Sequence, residues 1–166
     1  MKINFEPIGY IKSPHKEAEG TPIQTGGAKG IEGELELLSK HQAGLKDLEG
    51  FSHIILLYYC HKAGDNKLVR KPFMDDKEHG IFSIRAPSRP NSIGLSVVRL
   101  TEIKDNILKI KDLDMLDGTP VLDIKPYVPE MDVKEVTNIG WLEKNIHKME
   151  VKKDDGRFLD EKEREK

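Results

Sequence analysis

The chain has 166 residues, 37% of them apolar and 34% charged, with a formal net charge of −2 at pH 7. One domain of ordinary size with a short appendage fits that length, and the near-neutral charge excludes a global pull on nucleic acid or anionic membrane, leaving only a local patch for any polyanion. The single cysteine, Cys60, excludes a disulfide framework, and "MKINFEPIGYIKSP" lacks the apolar run of a secretory signal, so a cytoplasmic protein with no membrane partner is expected.

Strand signals come first in chain order. "FEPIGYIKSP" is rich in aromatic and β-branched residues, and its Pro7–Gly9 interruption suggests a bulge or an edge. "GELEL" alternates Leu35 and Leu37 with Glu34 and Glu36, the pattern of a strand with one wet face. "SKHQAGLKDLEGF" reads as one short helix or helical turn, capped by Ser39 and closed by Gly50. "HIILLYYC" is apolar on both faces, which predicts a fully buried central strand. "SIGLSVVRL" puts Ile93, Leu95 and Val97 on one side and Ser92, Gly94 and Ser96 on the other. "NILKI" and "VLDIKPY" keep the period of two, and Asp117–Gly118 between them is a tight-turn signal of the hairpin kind. "VKEVTNIGWLEKNIHKM" has roughly helical spacing broken at Gly140, and twelve of the last fifteen residues are charged.

These elements predict a mainly β fold: a small β-barrel over residues 1–132 with one or two short helices, a helical extension over 133–150, and a charged C-terminal tail over 151–166, frayed or disordered. Two long loops, residues 15–30 and 61–80, interrupt the strands, and loops of that length are usually functional or mobile.

Little of the local chemistry belongs to a familiar motif. Cys60 and His61 are adjacent and would point to opposite faces of a strand, so no metal is expected. "QTGGAKG" is glycine-rich but precedes a strand and has no Ser or Thr after Lys29, which excludes a phosphate loop. In "RAPSRPNS", Pro87 and Pro90 restrict the backbone around Arg85, Arg89 and Asn91. Pre-organised Arg and Asn side chains suit a carboxylate, a phosphate or a nucleobase edge.

"FEPIGYIKSP", "FSHIILLYYCH", "GIFSIRAPSRPNSIGLSVVRL" and "LDMLDGTPVLDIKPYVP", in this order across residues 4–132, resemble the motifs of the TrmO/TsaA-like family, in the manner of a short archaeal-type member. The resemblance implies an S-adenosylmethionine-dependent methyltransferase of the tRNA anticodon loop, acting on the exocyclic nitrogen of threonylcarbamoyladenosine. It implies a small barrel and a homodimer with the cofactor near the subunit interface. Cofactor contacts carried over by motif are Gln24, Thr25, Gly26, His61, Lys62, Arg85, Leu95, Asp117, Gly118, Thr119 and Pro120. Bacterial members read "TRS" where this chain has Ile84-Arg85-Ala86 and "HQ" where it has His61-Lys62, and they carry a further C-terminal domain.

Methyl transfer from a sulfonium is an in-line displacement that needs a held acceptor and a place for its proton. Asp117 is the nearest carboxylate in the motifs, with Arg85 and Asn91 as further catalytic candidates. Arg89 and Asn91 are candidates for substrate contact, and Lys67, Arg70 and Lys71 for RNA phosphates. Two alternatives stay open at this point: a methyltransferase of another RNA or a small molecule, and a non-catalytic S-adenosylmethionine-binding module.

Overall fold

The computed structural model describes residues 1–160. Its strands are β1 (Gly9–Lys12), β2 (Glu32–Leu37), β3 (His53–Tyr59), β4 (Val69–Arg70), β5 (His79–Gly80), β6 (Ile93–Lys104), β7 (Ile107–Lys111) and β8 (Pro120–Pro126). Six of them close into an antiparallel barrel in the order β1–β2–β7–β6–β3–β8, with β8 returning to β1, while β4 and β5 form a small separate sheet. Closure removes the free edges that an open sheet would expose.

Period-two alternation fills the barrel. Leu35 and Leu37, Ile54 and Leu56, and Leu108 and Ile110 all point inward and are buried. Each such side chain contributes about 1.5–3 kcal/mol on leaving water. The "FEPIGYIKSP" strand begins only at Gly9, so Pro7 costs no ladder position. A Cβ at Gly9 would lie 2.5 Å from the Glu36 carbonyl oxygen and 2.9 Å from Leu37 Cα, so glycine lets β1 press against β2.

On β6, whose alternation left the inside face open, the inward side carries Ser96, Val98 and Leu100, while Ile93 and Leu95 are exposed on the outside of the barrel. Three expectations change. The β3 strand is not fully buried: Ile54 and Leu56 are inside, but Ile55 and Leu57 are only partly covered and Tyr59 is exposed. The Asp117–Gly118 turn joins no hairpin, because β7 pairs with β2 and β6 whereas β8 pairs with β1 and β3. Gly118 instead ends a crossing loop at φ +74°, donating its N–H to the Ile11 carbonyl at 2.8 Å.

The third change concerns the helices and the C-terminus. Segments Ser39–Leu45 and Leu48–Gly50 are 3₁₀ turns, with Leu38 rather than Ser39 at the cap position. A single α-turn, Pro129–Asp132, follows β8. Within 133–150 only the 3₁₀ turns Gly140–Lys144 and Ile146–Lys148 form, because Gly140 sits at φ +59° and breaks the helical path. Residues 151–160 are folded against the barrel and its loops, and Phe158 is 2% exposed. The rest of the expected tail, 161–166, lies outside the described residues. No described helix is long and apolar enough to cross a membrane.

Candidate functional site

At one end of the barrel, β3 and β6 run antiparallel with Tyr58 opposite Gly94. A Cβ at Gly94 would run into the Tyr58 ring, so glycine there lets the ring lie flat over the strand. The phenol then reaches Ser96 Oγ at 3.1 Å, and Ser96 donates to Asp114 Oδ1 at 2.7 Å. With the serine proton committed to Asp114, the Tyr58 hydroxyl donates to the serine oxygen. Burial raises the Asp114 carboxyl to about 6, against the lowering effect of the Ser96 bond. Burial also pushes Tyr58 well above its usual value, and pushes the Cys60 thiol up to about 12 with Asp114 adding to it. The thiol therefore stays protonated at neutral pH and is not a nucleophile.

Tyr58, Cys60 and Asp114 line a cleft of about 640 Å³. Its walls come from four stretches remote in sequence: the loop through Thr21–Gln24, the end of β3 through His61 and Lys62, the Arg85–Leu95 segment, and Asp114–Thr119. Pro87 and Pro90 both line it, so the stiffened stretch seen in the sequence is one wall. Arg85 Nη1 donates to Gln24 Oε1 at 3.3 Å, bridging two walls. Arg89 Nη1 donates to the Ile84 carbonyl at 3.0 Å, which fixes the guanidinium beside the cleft. A fifth wall is Asp154, Phe158 and Leu159 from the C-terminal segment.

Of the residues singled out from the sequence, Gln24, His61, Lys62, Arg85, Arg89, Asn91, Leu95 and Thr119 come together in this cleft. Thr25 and Gly26 stand just beyond it in the 3₁₀ turn Thr25–Gly27. Asp117 does not line it. Its carboxylate pairs with Lys16 at 2.8 Å and accepts the Ser13 N–H at 2.9 Å, and those bonds hold it below the usual carboxylate range. Gly118 turns the loop and Pro120 opens β8 opposite Tyr10. Lys67 and Lys71 are exposed on the 61–80 loop, away from the cleft walls. The Arg70 guanidinium is already engaged, donating to the Asp65 and Arg157 carbonyls and lying 5.4 Å from the centre of the Phe158 ring.

The sequence reading missed Tyr58, Ser96, Asp114, Asp154 and Phe158. The only available signal was the spacing of small residues at 94 and 96 in a strand, which marks a place where something large packs close. Among the described residues no group of three or more His, Cys, Asp or Glu is clustered to hold a metal ion.

Residues 10–133 match the model of the tRNA-methyltransferase O N-terminal domain. A probable S-adenosyl-L-methionine-binding protein of Pyrococcus abyssi is 58% identical over 159 residues, covering 96% of this chain and 86% of the relative. The tRNA (adenine(37)-N6)-methyltransferase of Escherichia coli is 43% identical over 135 residues, covering 75% of this chain and 57% of that enzyme. The crystal structure of TrmO from Pseudomonas aeruginosa superposes with a TM-score of 0.72 at 41% identity, covering 84% of this chain and 62% of that one. The chain thus spans about three fifths of the length of the two bacterial proteins it matches. A domain match over most of the barrel, with close relatives along nearly the whole chain, means that this chain belongs to the TrmO family.

Proposed function

We propose that the chain is an S-adenosylmethionine-dependent methyltransferase acting on the exocyclic nitrogen of threonylcarbamoyladenosine in the tRNA anticodon loop. The observation that carries this reading is the convergence in one cleft of Gln24, Lys62, Arg85, Leu95 and Thr119, the family's cofactor positions carried over from four stretches remote in sequence. The cleft fits the cofactor. Its volume of about 640 Å³ lies in the usual small-molecule range of roughly 300–1,000 Å³. Its lining mixes apolar Ile93, Leu95 and Phe82 with the fixed polar pair Arg85–Gln24.

Bound S-adenosylmethionine supplies an activated methyl group on a sulfonium. The protein's part is to hold donor and acceptor in line, exclude water and take a proton. The Arg85 guanidinium, braced by Gln24, offers a planar fork for a carboxylate. Arg89 and Asn91 lie on the proline-stiffened wall of the cleft and are the residues assigned to the acceptor. Arg89 suits the threonyl carboxylate or a neighbouring phosphate, and an anticodon-loop base is already unpaired, so presenting it costs less than flipping from a duplex. As its methyl bond forms, the accepting nitrogen loses a proton. Asp114 replaces Asp117 as the acceptor for it: burial raises both cleft carboxylates, Asp114 and Asp154, to about 6, a value suited to a base near neutral pH, and Asp114 is the one held by the Tyr58–Ser96 pair. Ser96 and Tyr58 orient it. Lys67 and Lys71 remain available on the surface for phosphates, whereas Arg70 is committed internally.

A homodimer completes the reading. Ile55, Leu57 and Tyr59 of β3 pair with Val97, Leu95 and Ile93 of β6, forming an apolar ladder on the outside of the barrel. Ile93 and Leu95 also line the cleft, so a second copy covering this ladder sits at the mouth of the site. Mass spectrometry of tRNA nucleosides from cells with and without the gene tests the function. Loss of methylated threonylcarbamoyladenosine in cells lacking the gene is expected, and an unchanged nucleoside profile overturns the substrate assignment.

A further inference from the structure

The segment Val151–Asp160 is built into the cleft rather than laid over it. Asp154 donates its N–H to the Thr21 carbonyl and accepts the Gly20 N–H, each at 2.8 Å. Phe158 accepts at its carbonyl from Gly64 N at 2.8 Å and from the buried Ser88 hydroxyl at 2.6 Å. Asp160 N donates to the Lys62 carbonyl at 3.2 Å. The Phe158 ring packs edge-on against Phe73 with centroids 4.9 Å apart and shares a buried cluster with Ile81, Ile84 and Ala86. These anchors fall on the 15–30 loop, on the 61–64 stretch and on the proline-stiffened wall, so one short segment ties three walls of the cleft together. It lies beyond residue 133, where the family domain match ends.

Asp154 stands out within this segment. One carboxylate oxygen accepts the Gly156 N–H at 2.7 Å. The nearby Arg157 is ion-paired with Asp155 instead. Among the described residues no Lys, Arg or His comes within ion-pair distance of Asp154, although the residue lines the cleft. Cations stand on another wall, at Arg85 and Arg89. A cleft with guanidinium groups on one wall and an unpaired carboxylate on another is complementary to a zwitterion, not to a simple anion. Asp114, the other carboxylate lining the cleft, is occupied by Ser96.

We propose that Asp154 is a ligand-binding residue of this cleft, receiving the protonated amine of the ligand's amino-acid tail while the cationic wall receives the tail's carboxylate. The inference rests on the cofactor reading above, and the C-terminal segment thereby becomes part of the donor site. Calorimetric titration of the full chain and of Asp154→Asn with three probes tests it: S-adenosylmethionine, S-adenosylhomocysteine, and 5′-methylthioadenosine, which lacks the amino-acid tail.

The substitution is expected to weaken the first two by about tenfold or more and to leave the third unchanged, since an ionic hydrogen bond is lost only with the tailed ligands. Asp154→Glu, which keeps the charge, restores part of the loss, a rescue that a purely structural role does not produce. Unchanged affinity for S-adenosylmethionine, an equal loss for methylthioadenosine, or a loss for S-adenosylmethionine alone each overturns the assignment. The last of these would place the carboxylate at the sulfonium. If the wild-type chain binds none of the three, the cofactor reading itself fails and takes this inference with it. A thermal melt of each variant shows whether the segment is still seated, and Asp154→Glu carries the comparison if Asp154→Asn unfolds.

Discussion

Asp114 and Asp117 lie three residues apart in one motif, yet the fold gives them opposite jobs. Asp117 is tied to Lys16 and the Ser13 amide, which makes it a brace for the crossing loop. Asp114 lies between buried Leu113 and Met115, turns into the cleft, and keeps a proton up to about pH 6. Two consequences follow from that raised value. Its ordinary value is 3.8, so the folded protein holds an extra proton between 3.8 and about 6, and stability falls as pH rises through that window. Replacing Asp114 by Asn removes the buried charge and is expected to raise stability at pH 7 by up to about 3 kcal/mol, read from denaturant midpoints. The same variant is expected to lose roughly 10²–10⁴-fold in kcat while still binding cofactor. In the wild type, kcat at saturating cofactor rises with pH through about 6 as Asp114 gives up its proton. A variant with full kcat and an unchanged acidic limb refutes the role.

At the scale of elements, the C-terminal segment and the β3–β6 pair carry the site. Truncating Phe158 to Ala empties a buried aromatic cluster and is expected to cost about 3–5 kcal/mol, seen as a lowered melting temperature. Limited proteolysis is then expected to cut within 151–160, and resistance equal to the wild type contradicts the anchoring role. The strands were readable from the sequence because their alternation of two survives any context, and each barrel strand has its counterpart in a predicted segment. What the alternation leaves open is which face is inside. On β6 the more apolar set, Ile93 and Leu95, faces out, because the inward face has to leave room for the Tyr58 ring at Gly94 and for the Ser96 hydroxyl that bonds Asp114. Asp117–Gly118 looked like a hairpin because turn chemistry reports a local reversal of the chain and says nothing about which strands pair afterwards. Phe158 is one aromatic side chain in a run of charges, and only its tertiary neighbours make it a core residue. Arg85, Gln24 and Thr119 were carried over by the resemblance to the family. Asp114 and Asp154 were not, because burial distinguishes them from other acids and no local pattern encodes it.

For the whole molecule, the closed barrel supplies a rigid frame, the loops at one end supply the cleft, and the proposed dimer would pack on the outer ladder of β3 and β6. Leu57→Arg puts a charge in the middle of that ladder without entering the core. The wild type is expected to sediment as a dimer and this variant as a folded monomer; a monomeric wild type contradicts the dimer. The most direct measurement incubates the purified chain with S-adenosylmethionine and two tRNA preparations, one carrying threonylcarbamoyladenosine and one lacking it, followed by mass spectrometry of the nucleosides. The expected result is one added methyl on threonylcarbamoyladenosine and none in the tRNA that lacks it. Equal methylation of both preparations, or none in either while the cofactor binds, contradicts the proposed function.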